Sequence, residues 1–242
     1  AQRQGRHCLA FVEGRPRRAP RAHQAFPRLP SGGEEQLFDR YDMVSEGPGR
    51  VAGHEAAVFL LRPRDNSRFA QRLWAEQGSG LLLRADVLAQ DGRVLETTAF
   101  SDVAIGVRAQ PDSVLAAMKK LDGYRVVKAL PRRTSLDDEG WQLKNPIAGF
   151  RQVSCVKRSL DPLADADRPA GAEVLQAIFS DGRTHVSLFI EPHQADRHRA
   201  GGATIGATHT WMQPVGAHWL TVVGDVPMAT LKQFAAALEP KR

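Results

Sequence analysis

The sequence predicts a mainly β, α+β protein made of two antiparallel units, with a helix at its C-terminal end. Apolar and polar residues alternate in many short runs, which is the pattern of half-buried strands. Asp-Gly pairs at 91–92 and 181–182 each separate two such runs, and this dipeptide is a strong signal for a hairpin turn. The runs follow one another through short turns, which favours antiparallel meanders over alternating strands and helices.

The first unit, assigned to residues 1–110, is expected to contain a short helix and then four strands. In EEQLFDRYDMV (34–44), Leu37, Tyr41 and Val44 have helical spacing, and GPG follows as a helix breaker. Strands are predicted in RVAGHEAAVFLLRP, in RFAQRLWAE after it, and in the two runs flanking the first Asp-Gly pair. GSG at 78–80 supplies another tight connection. The expected result is an antiparallel meander.

One predicted strand offers a candidate lipid-binding face. Its apolar residues recur at every second position, so the alternation of a strand would place them together. The set comprises Leu81, Leu83, Ala85 and Val87. Trp74, in the preceding run, either joins this face or anchors the core, and the core role is favoured because most large aromatic residues are structural.

A linker is predicted over residues 111–139. PDSVLAAMKKLDG has Pro near its start and Gly after its end, which indicates a short helix. The polar LPRRTSLDDEG that follows is typical of a connection between domains. The second unit, 140–242, is predicted to hold about four antiparallel strands: one near 150–158, the hairpin around 181–182, and runs in ATIGATHTWMQ and HWLTVVG.

The second unit is predicted to close with a helix in VPMATLKQFAAALE. Proline suits the first turn of a helix, and Pro227 stands at the start of this segment. An apolar stripe at helical spacing should face the sheet. Its members are Leu231, Phe234, Ala235 and Leu238.

The net charge of +6 arises entirely within residues 1–30, which hold seven Arg and one acidic residue. A nucleic-acid partner is not indicated, because such proteins usually show a basic stripe with interleaved aromatic residues on the folded body. The Pro-rich basic stretch favours a solvated loop. The alternative is a phosphate-contacting patch, whose candidate residues are Arg15, Arg17, Arg18 and Arg21.

Two cysteines, Cys8 and Cys155, lie far apart and without CxxC spacing, which argues against a zinc site or a redox motif. Each sits in an apolar run, so two buried free thiols are favoured over a disulfide. No run approaches the roughly 18 apolar residues that a membrane span requires.

Catalytic motifs are absent from the sequence: it contains no GxSxG, no GxxxxGK[ST] and no HExxH. The densest polar cluster favours a solvated loop over a metal site, since Pro, Gly and Arg interrupt it; its members are Glu191, His193, Asp196 and His198. Asp86 and Glu96 could face each other as a general acid and base, but solvated cross-strand ion pairs are favoured because Arg84 and Arg93 are equally close in sequence. His209 and His218 are interpreted as aromatic packing residues. We therefore predict no enzyme and no cofactor.

The order of these segments resembles the sigma-E factor regulatory proteins, the RseB/MucB family. The matching motifs of the first unit fall, in chain order, on Arg50–His54, Arg64–Phe69, Trp74, Leu81–Leu88, Asp91–Glu96 and Phe100–Val103. In the second unit, Trp141, Pro146, Gly149 and Phe150 resemble the opening of the family's C-terminal domain, and VVGDVPMATLKQFAAAL resembles its closing strand and helix. The likeness spans about residues 35–240 and implies that the chain lacks the beginning of the family's longer N-terminal domain.

The resemblance implies a LolA/LolB-like half-barrel followed by a small α+β domain, in a periplasmic, non-enzymatic protein. It further implies a negative regulator of the sigma-E envelope stress response. Such a protein binds the periplasmic segment of a membrane anti-sigma factor of the RseA/MucA type, shields it from regulated proteolysis, and releases it on lipid or lipopolysaccharide signals. The alternative is a LolA-type lipid or lipoprotein carrier, although a simple carrier does not need a second domain. Formation of a homo-oligomer is left as an open alternative.

Overall fold

The computed structural model describes residues 38–107, 131–159 and 173–241. Within them, two large antiparallel sheets, a two-stranded ribbon and one helix account for the regular structure. The predicted class, mainly β with a C-terminal helix, is confirmed. The predicted helix at 111–123, the four candidate phosphate-binding arginines and Cys8 lie outside the described residues.

The first sheet has five strands in meander order, each paired with its neighbour along the chain. They are β1 (Tyr41–Val51), β2 (His54–Pro63), β3 (Ala70–Glu76), β4 (Leu82–Leu88) and β5 (Val94–Ala99). The β4–β5 hairpin turns at Asp91-Gly92 as predicted: Gly92 has a positive φ of 82°, and the Asp91 carboxylate accepts the N–H of Arg93.

The helix predicted over 34–44 is wrong from Tyr41 onward, because those residues begin β1 and pair in register with β2. Tyr41 is buried whereas Val44 is exposed, so their helical spacing does not define a common buried face. The GPG that was expected to end a helix lies inside β1. The register shifts between Ser45 and Gly47, and Gly47 takes a positive φ of 94° at this bulge.

The second sheet has seven strands where the sequence predicts about four. Their spatial order is β11-β12-β13-β10-β9-β8-β6. In chain order they are β6 (Arg132–Arg133), β8 (Arg151–Ser159), β9 (Glu173–Ser180), β10 (His185–Pro192), β11 (Gly201–Ile205), β12 (Thr208–Val215) and β13 (His218–Gly224). The ribbon pairs β7 (Trp141–Leu143) with β14 (Leu238–Pro240).

The segments predicted for the second unit amount to five strands when both arms of the hairpin are counted, and two local features account for the other two. ATIGATHTWMQ was expected to be one strand, but Gly206 adopts a positive φ of 59° and turns the chain, so the segment divides into β11 and β12. Arg132 and Arg133, near the end of the predicted linker, pair with β8 as an edge strand. Leu136, just beyond them, is buried in the core of the second sheet.

The helix α1 (Met228–Ala237) follows Pro227 and covers the second sheet. All four residues of its predicted apolar stripe are buried, but Leu238 lies just beyond the helix and begins β14, so the helical stripe comprises the other three. Phe234 on this stripe packs edge-on against Phe150, with ring centroids 5.4 Å apart. The smaller core of the first sheet comprises Tyr41, Leu61, Leu73, Leu82 and Ala85. In the described part of the chain, no helix is long and apolar enough to cross a membrane.

Candidate functional site at the domain junction

The residues of the predicted lipid face do not all lie together. Leu83 and Ala85 are buried and Val87 is half-buried, whereas Leu81 precedes β4 and is 40% exposed. Pairing with β3 is regular from Leu88 back to Arg84 and then shifts to Leu82, which places Leu83 at a bulge. A bulge adds one residue to a strand and interrupts the strict alternation on which the prediction relied. Lipid binding by these residues stays a prediction.

Trp74 lies on the opposite face of the sheet from Ala85. Its neighbour Leu73 pairs with Ala85, and consecutive strand residues point to opposite faces. The Arg84 guanidinium lies over the Trp74 ring, 4.4 Å from its centroid. Arg84 also donates to the buried Asp86 carboxylate at 2.7–2.8 Å. Asp86 is therefore neither solvated nor paired across strands, because its ion-pair partner stands two residues away on the same strand.

A buried ion pair joins the two sheets. The side chains of Arg68, in the β2–β3 loop, and Asp181, in the β9–β10 turn, are both 0% exposed. Nε of Arg68 donates to Oδ2 of Asp181 at 2.6 Å, and its Nη2 donates to the Ala148 carbonyl at 2.7 Å. Asp65 accepts from Nη1 of the same guanidinium. The hydroxyl of Tyr41 donates to Oδ2 of Asp181 at 3.1 Å.

The second oxygen of Asp181 holds the hairpin turn in which it lies. Oδ1 accepts the backbone N–H groups of Arg183 and Thr184, both at 2.8 Å. Gly182, directly after Asp181, has a positive φ of 94°. One carboxylate thus fixes the turn of its own domain and receives the arginine and tyrosine of the other. The turn predicted from Asp181-Gly182 is confirmed, and its Asp181 and Thr184 are buried at the junction while Gly182 is exposed.

Two segments that resemble family motifs meet at this ion pair. Arg68 belongs to the first segment, Arg64–Phe69, and it lies over the ring of Phe150 in the second, 4.6 Å from the centroid. Gly149 has a positive φ of 83°, and a Cβ at this position would stand 2.5 Å from Nη2 of Arg68. Glycine is therefore required both by the backbone conformation and by the space that the guanidinium occupies.

The surroundings of Arg68 and Tyr41 shift the pKa values of both side chains. Burial alone would lower the pKa of Arg68, but the hydrogen bond and the negative charge of Asp181 outweigh it, with help from Asp65, and the pKa is raised. The pKa of Tyr41 is raised mainly by burial and further by the charge of Asp181. Arg68 therefore stays a cation and Tyr41 a neutral donor around neutral pH.

Further contacts surround the ion pair. Nε of Arg183 donates to the Gln71 side chain at 2.6 Å, and the Thr230 hydroxyl donates to the Ser67 carbonyl at 3.0 Å. Beside them lies a cavity of about 440 Å³. Its walls come from the β4–β5 hairpin, the β11–β12 hairpin and the loop before β3. They include Phe69, Arg93, Val94, Leu95, Thr204 and His209.

The polar cluster that was considered as a metal site contains histidines with packing roles. Among the described residues, no group of three or more His, Cys, Asp or Glu side chains could hold a metal ion. His193 and His198 stack on Trp219, with ring centroids 5.4 and 4.6 Å away. The backbone N–H of Gln194 donates to Nδ1 of His198. This packing accounts for the two histidines of the cluster that was weighed as a metal site.

The remaining predicted residues divide between the core and the junction. His218 packs edge-on against Trp141, and His209 packs edge-on against Phe69 across the junction. Both are aromatic packing residues, with partners that sequence proximity does not indicate. Cys155 is buried, and burial raises the pKa of its thiol to about 11. Glu96, weighed as an acid or an ion-pair partner, accepts the backbone N–H of residue 207 from the second sheet.

Reasoning from residue patterns missed the central roles of Tyr41, Arg68 and Asp181. The sequence signal for Arg68 was its place in the Arg64–Phe69 segment. In the structure, Asp65 of this segment accepts a hydrogen bond from the Arg68 guanidinium and another from the N–H of residue 67. No local signal shows that Tyr41 lies beside Asp181.

Comparison with known proteins gives a consistent result over both sheets. The family model described as the MucB/RseB N-terminal domain matches residues 7–118, and that of the MucB/RseB C-terminal domain matches residues 135–239. The chain is 27% identical over 217 residues to the sigma factor AlgU regulatory protein MucB of Pseudomonas aeruginosa, covering 85% of this chain and 63% of that protein. It is 24% identical over 214 residues to the sigma-E factor regulatory protein RseB of Haemophilus influenzae, covering 87% of this chain and 63% of that protein.

A solved complex of Pseudomonas aeruginosa MucA and MucB contains a similar fold. The TM-score is 0.65 at 26% identity, covering 86% of this chain and 68% of the matched chain. The chain thus spans somewhat less than two thirds of the curated relatives that it matches. Both domains of one family are matched, in the same order as in that family and over most of the sequence. The chain therefore belongs to the MucB/RseB family.

Proposed function

We propose that this chain is a periplasmic negative regulator of a sigma-E-type envelope stress response. It binds the periplasmic segment of a membrane-anchored anti-sigma factor and acts by binding, not by catalysis. The observation that carries the proposal is the likeness to MucB solved in complex with MucA, which extends over both sheets at a TM-score of 0.65. The curated relatives are named as regulatory proteins of sigma factors, which agrees with this role.

The junction supports a binding role because it holds two surfaces in one arrangement. A peptide that becomes ordered on binding loses conformational entropy, so a single small surface would hold it weakly. Here the buried pair between Arg68 and Asp181 fixes the two sheets relative to each other before any partner arrives. A partner that touches both sheets therefore has no domain motion to arrest, and more of its contact energy appears as affinity.

Release by a lipid or lipopolysaccharide signal completes the proposed function. A ligand shifts this equilibrium only by as much as it prefers the partner-free protein over the complex. Linkage makes the effect reciprocal, so the anti-sigma segment must weaken lipid binding by the same factor. The apolar residues of β4 and the cavity between the domains are the candidate places for such a ligand.

The test is a calorimetric titration of the chain with the periplasmic segment of the anti-sigma factor from the same organism. We expect saturable binding with a Kd in the micromolar range or tighter, equivalent to about 8 kcal/mol or more. In parallel, the bound segment should resist cleavage by the protease that makes the first regulated cut. A scrambled segment of the same composition is the control. Absence of binding, or equal binding of the scrambled segment, would refute the proposal.

Adding lipopolysaccharide to the same titration separates the second part of the proposal from the first. The apparent Kd for the segment should rise with lipopolysaccharide concentration until the ligand saturates. If the segment binds with an unchanged Kd at every concentration, the regulator binds its partner but does not respond to this lipid.

A further inference from the structure

The edges of the two sheets differ in how well they are protected against pairing with another strand. An edge strand presents unpaired N–H and C=O groups, and natural proteins usually guard it with charges, proline or a bulge. β1, at one edge of the first sheet, has all three. It carries Asp42 and Glu46, a bulge between Ser45 and Gly47, and Pro48, which has no N–H to donate. This edge is therefore guarded.

β11, at the edge of the second sheet, has none of these guards. Gly201–Ile205 contains no charge and no proline, and its register with β12 runs through five consecutive pairs without a bulge. Four of its five residues are exposed, and Ile205 is 82% exposed. In the part of the chain that the structure describes, no strand pairs with the outer side of β11. Its small side chains allow another backbone to approach.

The cavity at the domain junction lies at one end of this edge. Thr204, in β11, and Gly206, in the turn after it, form part of its wall. Val94 and Leu95 of the first sheet give the cavity an apolar side, and Phe69, in the loop before β3, adds a further part of its wall. A strand laid along β11 would carry a side chain to this point. The cavity volume of about 440 Å³ accommodates a large aliphatic or aromatic group.

We propose that β11 receives an extended segment of the anti-sigma factor as an eighth strand, with one large apolar side chain of that segment in the junction cavity. This deepens the proposed function and rests on it. Strand addition divides the work between two kinds of contact, since main-chain hydrogen bonds supply affinity and a side-chain pocket supplies specificity. The edge of β11 provides the first, and the cavity provides the second.

The geometry favours a partner peptide over a second copy of this chain. Two copies of β11 paired antiparallel about their centre would set Gly201 opposite Ile205 and Gly202 opposite Thr204. The glycines have no side chain, so such a pair would leave the cavity beside Thr204 unfilled. A heterologous segment with a bulky apolar residue at this position fills it.

Amide hydrogen exchange on the full chain, with and without the anti-sigma periplasmic segment, tests the proposal directly. Addition of a strand should slow exchange of the outward-facing amides of β11 at least tenfold. β1 serves as the internal reference, and its exchange should not change. If the segment binds while β11 remains as unprotected as before, strand addition is wrong and the proposed function stands. If the segment does not bind the wild-type chain at all, both are overturned.

A pair of proline substitutions provides a matched second test. Along an edge strand, the N–H groups alternate between the partner strand and solvent. Of Ala203→Pro and Thr204→Pro, one therefore removes an outward N–H and the other removes a hydrogen bond to β12. We expect the variant that lacks the outward N–H to keep the wild-type melting temperature and to bind the segment at least tenfold more weakly. The variant that lacks a hydrogen bond to β12 should have a lower melting temperature. Binding within twofold of wild type by the variant that melts normally would overturn the proposal. If both variants fail to fold, the exchange result decides.

Amide hydrogen exchange measured without the segment tests whether β11 pairs with a second copy of this chain. Protection of β11 that appears in the isolated chain and increases with protein concentration would identify a self-association edge and overturn the choice of occupant. Protection that appears only with the segment, independent of protein concentration, supports the proposal.

Discussion

Breaking the buried ion pair between Arg68 and Asp181 should destabilise the protein far more than breaking an ion pair of the same kind on its surface. In Asp181→Asn, the amide would present N–H donors toward the donors of Arg68 and Tyr41, and the buried cation would keep only the partly exposed carboxylate of Asp65 as a counter-charge. Removing one partner of a buried pair typically costs about 3–5 kcal/mol, because the other charge is left desolvated. Both side chains are 0% exposed, which places this pair at the high end of that range.

A double-mutant cycle isolates the interaction. Arg68→Met should also cost about 3–5 kcal/mol, since it leaves the Asp181 carboxylate buried without its cation. The double variant Arg68→Met/Asp181→Asn should lose less than the sum of the single losses by at least about 2 kcal/mol, because the two fully buried charges are removed together. Urea unfolding followed by circular dichroism and tryptophan fluorescence gives the free energies of unfolding.

The surface pair of Arg64 and Asp42 is the matched control. Its nitrogen–oxygen distance is 2.8 Å, comparable to the buried pair, but its side chains are 54% and 55% exposed. Solvent screening and side-chain entropy reduce such a pair to about 0.2–1 kcal/mol. The corresponding Arg64→Met and Asp42→Asn variants should therefore change stability little. The reasoning is refuted if the coupling energy of the buried pair is below about 0.5 kcal/mol, or if the two pairs give equal coupling energies.

Three further predictions follow from single side chains. Hydrogen bonding to a lysine of β8 lowers the pKa of Glu139, so this carboxylate stabilises the fold above its ordinary pKa and the stabilisation is lost as pH falls through the lowered value. Glu139→Gln should thus be less stable by about 1 kcal/mol at pH 7, with a gap that closes as pH falls below the ordinary glutamate pKa of about 4.3 and through the lowered pKa; a gap independent of pH in urea unfolding would contradict this. With a pKa of about 11, Cys155 should react with a thiol reagent at pH 8 at least about 100-fold more slowly in the folded than in the unfolded chain, once the other cysteine is replaced by serine. Gly149→Ala should lower the melting temperature more than Gly182→Ala: both glycines have positive φ, but a Cβ at 182 meets no atom within 4 Å.

Local signals in the sequence were sufficient for the hairpins and the helix. Asp91-Gly92 and Asp181-Gly182 both turn the chain, because the positive φ that such turns require is available to glycine without steric cost. The α1 stripe is buried as its spacing indicated, since one face of a helix is defined by residues only a few positions apart. In each case, the residues that determine the structure are close together along the chain.

The first strand was not predictable from its own pattern. β1 is an edge strand that is mostly exposed, so it lacks the clear alternation of a half-buried strand. Tyr41 is its one buried residue, and Val44 happens to stand three positions later at helical spacing. Pairing with β2 determines this segment. The partner lies across a hairpin whose Ala52-Gly53 turn was read as part of a single longer strand.

The junction was beyond the reach of sequence patterns for a different reason. Arg68 and Asp181 are 113 residues apart, and Tyr41 and Asp181 are 140 residues apart. Charged residues are ordinarily expected at the surface, and nothing in the local sequence indicates that these two are buried. The resemblance to family motifs marked Arg68 and Gly149 as positions of interest, but it did not show that they face each other.

Asp181 shows how a correct local interpretation can leave the larger role of a residue unseen. Its Oδ1 accepts the two N–H groups of the hairpin turn, which is the function that an Asp-Gly dipeptide predicts. Its Oδ2 receives Arg68 and Tyr41 from the other domain, which no turn requires. Asn-Gly forms this type of turn as readily as Asp-Gly, so Asp181→Asn preserves the local role while removing the charge at the junction. A loss of several kcal/mol in that variant therefore measures the contact between the domains, and an unchanged stability would mean that the carboxylate serves only its own turn.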